Sequence, residues 1–344
     1  MGLTRFPHGV SSFGIPIFGE GLGILSLAAG NIYYLVTAKA STNPYYVKLD
    51  ENGISDANIF TTLPTAYAAT TTRQNDIIIV TPGTYTETES TAWAKDNVHL
   101  IGVGVGSPVS DWTLTQGMPV FTTATTDCAN IVNITGERNS FQNVIFENYG
   151  NNAACLAAVL LNGYGNSFYK CAIQGIMTAG QIAEAACCSL DIAAGGHYPY
   201  FEDCIIGQCQ WGTRTSTTQG HLRFSGAGSS GPSNGEFRNC KLLSHAETVG
   251  VPMVVTVAKY AWDRYWTFDN CIFYNFWTNW ADKCNRVFYL HVMPGTSSMI
   301  LQNCTAVGYD EWQTSDHGEV FATAMPIVGV GGGLARQPTA PVGT

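Results

Sequence analysis

The chain has 344 residues, of which 16 are Lys or Arg and 25 are Asp or Glu, giving a formal net charge of -9. Only 12% of residues are charged, about half the roughly 25% usual in soluble domains, so the surface is largely neutral. With no basic run, the chain lacks the phosphate-neutralising face that nucleic-acid binding requires, and 12% aromatic residues oppose disorder.

Residues 1–44 read as an N-terminal arm and lead-in. Pro7, Gly9, Gly14, Pro16, Gly19, Gly21 and Gly23 deny the arm helix or interior strand. Phe6, Phe13, Ile15 and Phe18 nevertheless give it apolar residues to bury, and a neighbouring subunit is the expected place. The stretch Gly21–Ala40 is broken by Ser26, Asn31 and Thr37, so no membrane span is expected. Gly21–Gly30 follows Pro16 and Glu20 rather than a basic segment, so no signal peptide is expected either. Leu63–Thr70, with Pro64 near its start, predicts a short helix that covers an open sheet end. Asp76–Val80 reads as a buried strand ending in the turn Thr81–Tyr85, and Asn97–Gly102 as the next strand.

From residue 141 the chain repeats itself. Phe141–Phe146 (FQNVIF), Phe168–Ile173 (FYKCAI), Phe201–Ile206 (FEDCII), Phe237–Leu242 (FRNCKL), Phe268–Phe273 (FDNCIF) and Leu301–Ala306 (LQNCTA) align, their starts 27, 33, 36, 31 and 33 residues apart. A constant core with irregular spacing means one structural rung recurring between variable loops. Positions one, four and six are apolar in every copy, which strict strand alternation forbids unless the chain bends near position three. That position holds Asn143, Lys170, Asp203, Asn239, Asn270 and Asn303, and Asn and Asp tolerate the left-handed conformation of a tight corner.

A second strand precedes each rung: Val132–Ile134, Leu190–Ile192, Leu222–Phe224, Val255–Val257 and Leu290–Val292, with the middle residue pointing out. Elements this short cannot bury a face alone, so stacked rungs must share one interior. The predicted fold is all-β, a right-handed parallel β-helix over residues 45–327, followed by a flexible Pro/Gly-rich tail at 328–344. The column Cys171, Cys204, Cys240, Cys271 and Cys304 reads as reduced thiols facing inward. A ladder spreads ligands along a line instead of converging them, so no metal site is expected. Trp262, Trp266, Trp277 and Trp280 concentrate in one or two adjacent rungs and are expected to make subunit contacts or cap the last coils.

The segments Tyr45–Val47, Phe60–Tyr67, Asn75–Glu87 and Val98–Gly102 resemble the entry coils of pectin-lyase-like β-helix proteins. Together with the rungs, that resemblance spans roughly residues 45–310. The opening Met1–Pro16 is similar to the leader of tailed-bacteriophage virion proteins. It implies a non-enzymatic, head-associated decoration protein located in the virion, contacting other virion proteins and forming a homo-oligomer such as a trimer. No cofactor, nucleic acid or membrane is expected. The alternative is a tail spike or fibre that binds or depolymerises a host polysaccharide. For that reading, the outward column Glu202, Arg238 and Asp269 offers two carboxylates, although their alternating sign fits a surface charge ladder better. The column Asp191, Arg223, Thr256 and His291 offers a single His with no placed carboxylate partner.

Overall fold

A computed structural model describes residues 10–12, 15–18, 30–104, 117–123, 128–209, 213–226, 231–259, 261–276, 284–291, 297–313 and 320–322. From residue 91 onward, each coil contributes a strand to each of three sheets in turn. One coil places Asn130–Ile134 in the first sheet, Ser140–Gln142 in the second and Ile145–Glu147 in the third. The next coil lays Ala157–Leu161, Ser167–Tyr169 and Ala172–Gln174 parallel to these and in register. The sheets grow to eight, eleven and eight strands. The chain therefore forms the expected parallel β-helix, with one interior enclosed by three sheet faces.

The corner between the second and third sheets is where the repeat places it. Asn143, Lys170, Asp203, Asn239, Asn270 and Asn303 all have φ between 50° and 55°. Each of the first five donates its backbone N–H to a carbonyl of the next coil at 2.8–3.0 Å, as from Asn143 to Tyr169 and from Asn239 to Asp269. The bend changes side-chain parity, which is why Phe141, Val144 and Phe146 are all fully buried although they are not two apart. Phe141, Phe168, Phe201, Phe237 and Phe268 stack with ring centroids 4.6–4.8 Å apart and planes within 14°. That is the strand-to-strand spacing of about 4.7–4.9 Å, so the backbone repeat sets the ring repeat. All eleven cysteines are thiols, none in a disulfide. In the ladder, each sulfur lies 3.2–3.5 Å from the carbonyl two residues before it and from a Phe carbonyl of the coil below.

A second corner, at the entrance to the second sheet, was hidden from the sequence. Asn97, Arg138, Gly165, Tyr198, Asn234 and Arg264 occupy it with φ between 53° and 66°. Residue type varies freely there, so no column stands out. Asn139 and Asn166 line its inner side: Val98 N–H donates to Asn139 Oδ1 at 2.8 Å and Asn139 N–H to Asn166 Oδ1 at 2.9 Å.

At the N-terminal end, helix α1 (Pro44–Glu51) starts at Asn43, whose side chain accepts from the N–H groups of Tyr45 and Tyr46. Helix α2 (Leu63–Ala69) puts Leu63, Ala66 and Tyr67 into the same interior cluster as Tyr33 and Trp93, capping the rod as expected. Lys95 Nζ holds the end of α2 by donating to the carbonyls of Tyr67, Ala68 and Thr70. Strand Ile32–Leu35 pairs with Ile59–Phe60 and Asp76–Val80 in the second sheet.

Three local expectations are corrected. Thr84 and Tyr85 do not close a turn but lie in the strand Gly83–Glu87 of the third sheet, where Pro82–Gly83 suffices as the corner. Arg223 faces Val255, not Thr256, because the strand is Val254–Thr256. The following strand is Cys284–Tyr289, with Tyr289 opposite Val255, so His291 lies beyond it. The alternation misled because Val254, Val255 and Thr256 are all buried, leaving no polar face to set the register.

Candidate functional site

Of the residues expected to make assembly contacts, the structure describes the side chains of Trp262 and Trp266. Trp262 and Trp266 are fully buried inside this chain, both against Phe224, at 6.2 and 4.7 Å between centroids. Trp266 turns inward because its register partner is Gly235, and the indole takes the space that a side chain there would fill. The contact expected of these two at a subunit interface is therefore made within the rod. Tyr265 and Phe276 do remain exposed. Phe6, Phe13, Trp277 and Trp280 lie outside the described residues; Ile15 and Phe18 fall in a strand, Ile15–Phe18, that pairs antiparallel with Val10–Ser12, and their side chains also lie outside the description.

The outer face of the second sheet carries the expected charge column. Glu202, Arg238 and Asp269 are register neighbours, and Arg238 is held 3.1 Å from Glu236 and 3.8 Å from Asp269. That is a cross-strand ladder, not a pair of carboxylates flanking a reacting bond. Beside it lie four tyrosines that sequence reasoning did not single out. Tyr164 and Tyr198, in the turns leading to the second sheet, face each other at 5.1 Å and are 40% and 47% exposed. Tyr169 and Tyr200, on the sheet itself in the same two coils, meet at 5.7 Å. Burial and the neighbouring Glu202 carboxylate push the Tyr200 hydroxyl up to about 12. Tyr198 sits at φ 53°, a conformation that costs a non-glycine residue about 1–2 kcal/mol, where the coil before it has Gly165.

The coil that carries Tyr198 also carries Asp191, on the outer face of the first sheet. Asn133, Leu160, Asp191 and Arg223 form its in-register column. Arg223 Nη1 donates to Asp191 Oδ2 at 3.2 Å and to the carbonyl of Ala186 at 3.1 Å. Burial raises the Asp191 pKa, and Arg223 and Ser225 oppose it. The pair still reaches the surface, with 19% of the Arg223 side chain and 11% of the Asp191 side chain exposed. A carboxyl held nearer neutrality can exchange a proton, and the adjoining guanidinium can stabilise negative charge. The sequence column already joined these two, while Thr256 and His291 pair with each other instead, Thr256 Oγ1 to His291 Nδ1 at 3.2 Å.

A buried polar seam runs beside the third sheet and ties the large loops to the rod. Asn148 Nδ2 donates to the Ala157 carbonyl, Gln181 Nε2 to that of Asn148, and Gln219 Nε2 to that of Gln181. The wholly buried Arg214 donates to Ser244 Oγ, the Pro252 carbonyl and the Gln219 carbonyl. Among the described residues, no three or more His, Cys, Asp or Glu side chains gather in a way that could hold a metal ion.

No protein-family model matches the sequence, and no curated protein matches it. Solved structures do. The pectin methylesterase of Aspergillus niger is 15% identical at a TM-score of 0.53, with 91% of this chain and 89% of that one covered. The pectin methylesterase from carrot is 13% identical at 0.51, with 92% and 86% covered. The fold is a right-handed parallel β-helix. At these identities the likeness establishes the pectin-lyase-like scaffold and nothing finer. It does overturn the expectation of a chain without enzymatic activity, since both matched structures are enzymes built on this scaffold over nearly their whole length. Both matched structures are named for action on pectin, a polysaccharide, which is the substrate class of the alternative reading and not a property of a head decoration protein.

Proposed function

We propose that this chain is a polysaccharide-modifying enzyme that seats a glycan against Tyr164, Tyr198, Tyr169 and Tyr200 and reacts it at Asp191 and Arg223. The observation that carries the reading is the concentration of both features in three successive coils: exposed and half-buried rings with polar tips at and before the second sheet, and a carboxyl–guanidinium pair on the first. Sugar rings present apolar C–H faces that stack on aromatic rings and hydroxyls that hydrogen-bond at the ring edge. Hydrolysis of a glycosidic bond calls for two carboxylates across that bond. Asp191 beside Arg223 is better suited to hydrolysing an ester substituent: Asp191 takes a proton from the water that attacks the ester carbonyl, Arg223 stabilises the resulting oxyanion, and the proton passes from Asp191 to the sugar oxygen as the carbonyl–oxygen bond breaks and the acid leaves. The matched structures are pectin methylesterases, enzymes named for ester removal, which fits that chemistry.

The test is incubation with O-acylated polysaccharides, following released acid and new reducing ends separately. Asp191→Asn and Arg223→Lys are each expected to cut turnover by about 10²- to 10³-fold; undiminished turnover in Asp191→Asn would remove Asp191 from the chemistry. The resemblance of the leader Met1–Pro16 supports a place on a phage particle without distinguishing head from tail; the proposed activity favours a tail spike or fibre, where it meets the host surface. Mass spectrometry of purified particles tests that location, and finding the chain only in the unassembled fraction rejects it.

A further inference from the structure

We infer that the polysaccharide this surface takes is uncharged, an inference that rests on the tyrosine ledge being its seat. From Ser140 to Gln302 the outer face of the second sheet carries four carboxylates, Glu202, Glu236, Asp263 and Asp269, against two guanidinium groups. Both are already engaged, Arg238 with Glu236 and Asp269, Arg264 with Asp263 at 3.9 Å. On the first sheet, Arg223 is held by Asp191. The two cations at the corners beside the tyrosines are Arg138 and Lys170, which have Glu137 next in the chain and Asp203 at the equivalent corner of the next coil.

A polyuronate brings one carboxylate per sugar, and lining up such a chain here would set it along a face whose described strands carry twice as many carboxylates as guanidinium groups, with the single cations Arg138 and Lys170 at separate corners in place of a continuous basic run. Like charges facing each other oppose binding. An uncharged chain meets no such penalty. It gains ring stacking on Tyr164, Tyr198, Tyr169 and Tyr200, and its hydroxyls can donate to the carboxylates.

The experiment is equilibrium binding to an uncharged O-acetylated glucomannan and, in parallel, to polygalacturonate, from about 0.01 to about 1 M salt. The expected result is glucomannan binding that is insensitive to salt, no polygalacturonate binding, and about tenfold weaker glucomannan binding by Tyr198→Gly. That variant keeps the fold, because glycine relieves the backbone where Gly165 already does so, and its circular dichroism and melting temperature check this. Polygalacturonate binding that falls with salt would overturn the uncharged class and leave the polysaccharide reading standing. Failure to bind either polymer overturns both. Full glucomannan binding by folded Tyr198→Gly overturns the ledge as the seat.

Discussion

Glu147 shows how far a single residue's behaviour depends on what covers it. It ends a third-sheet strand facing outward, yet burial pushes its carboxyl up to about 7 from 4.5, with the Thr122 hydroxyl opposing. A folded-state pKa above the unfolded one means the native chain holds the extra proton between those values. The associated stability is fully present below about 4.5 and is lost as pH rises towards 7. Glu147→Gln is expected to remove that loss, so its stability advantage over the parent grows by up to about 3 kcal/mol between pH 4 and pH 8 in urea titrations. His99 acts in the opposite sense: burial lowers its pKa to about 4, so its contribution is lost as pH falls from 6.5 through 4. Neither shift could be read from sequence, because both side chains occupy outward strand positions and only the assembled chain buries them. Asp191 was legible as an outward residue in one column with Arg223, but not its burial or the hydrogen bond that ties Arg223 to the Ala186 carbonyl.

At the level of elements, the corner column was legible and the helix before it was not. Asn239→Ala forces a Cβ-bearing residue without a local hydrogen-bonding side chain into φ 53° and is expected to cost about 1–2 kcal/mol, whereas Asn239→Gly recovers most of that. Chemical denaturation of the two variants side by side checks the corner directly, since any other role for the side chain would make them equal. Helix α1 was missed because Tyr45, Tyr46 and Val47 carry strand-forming side chains; Asn43–Pro44 was the available signal, a capping residue followed by proline at the first helical position. The second corner gave no signal because backbone hydrogen bonds between coils, such as Tyr198 N–H to Ser233 O at 2.8 Å, impose its conformation on whatever residue stands there.

Across the whole molecule, one interior links nearly every coil, so damage at its centre is felt globally. Phe201→Ala removes the middle ring of the stack and is expected to cost about 3–5 kcal/mol, visible as a lower denaturation midpoint. Nine of the eleven cysteines are buried and two, Cys209 and Cys304, are partly exposed. Thiol titration of the native protein is therefore expected to reach at most two sulfurs, and all eleven in denaturant; rapid reaction of five or more would contradict the inward ladder. By itself the sequence determined the coil, because a repeated Phe-x-Asn-Cys pattern fixes which residues point inward and where the chain turns. Only the tertiary structure decided the surface: Tyr164 and Tyr198 are 34 residues apart and become neighbours because successive coils stack at the strand spacing, while Trp262 and Trp266 vanish into the core. Inward positions repeat because every rung faces the same interior, whereas outward neighbours depend on loop lengths that no local pattern encodes.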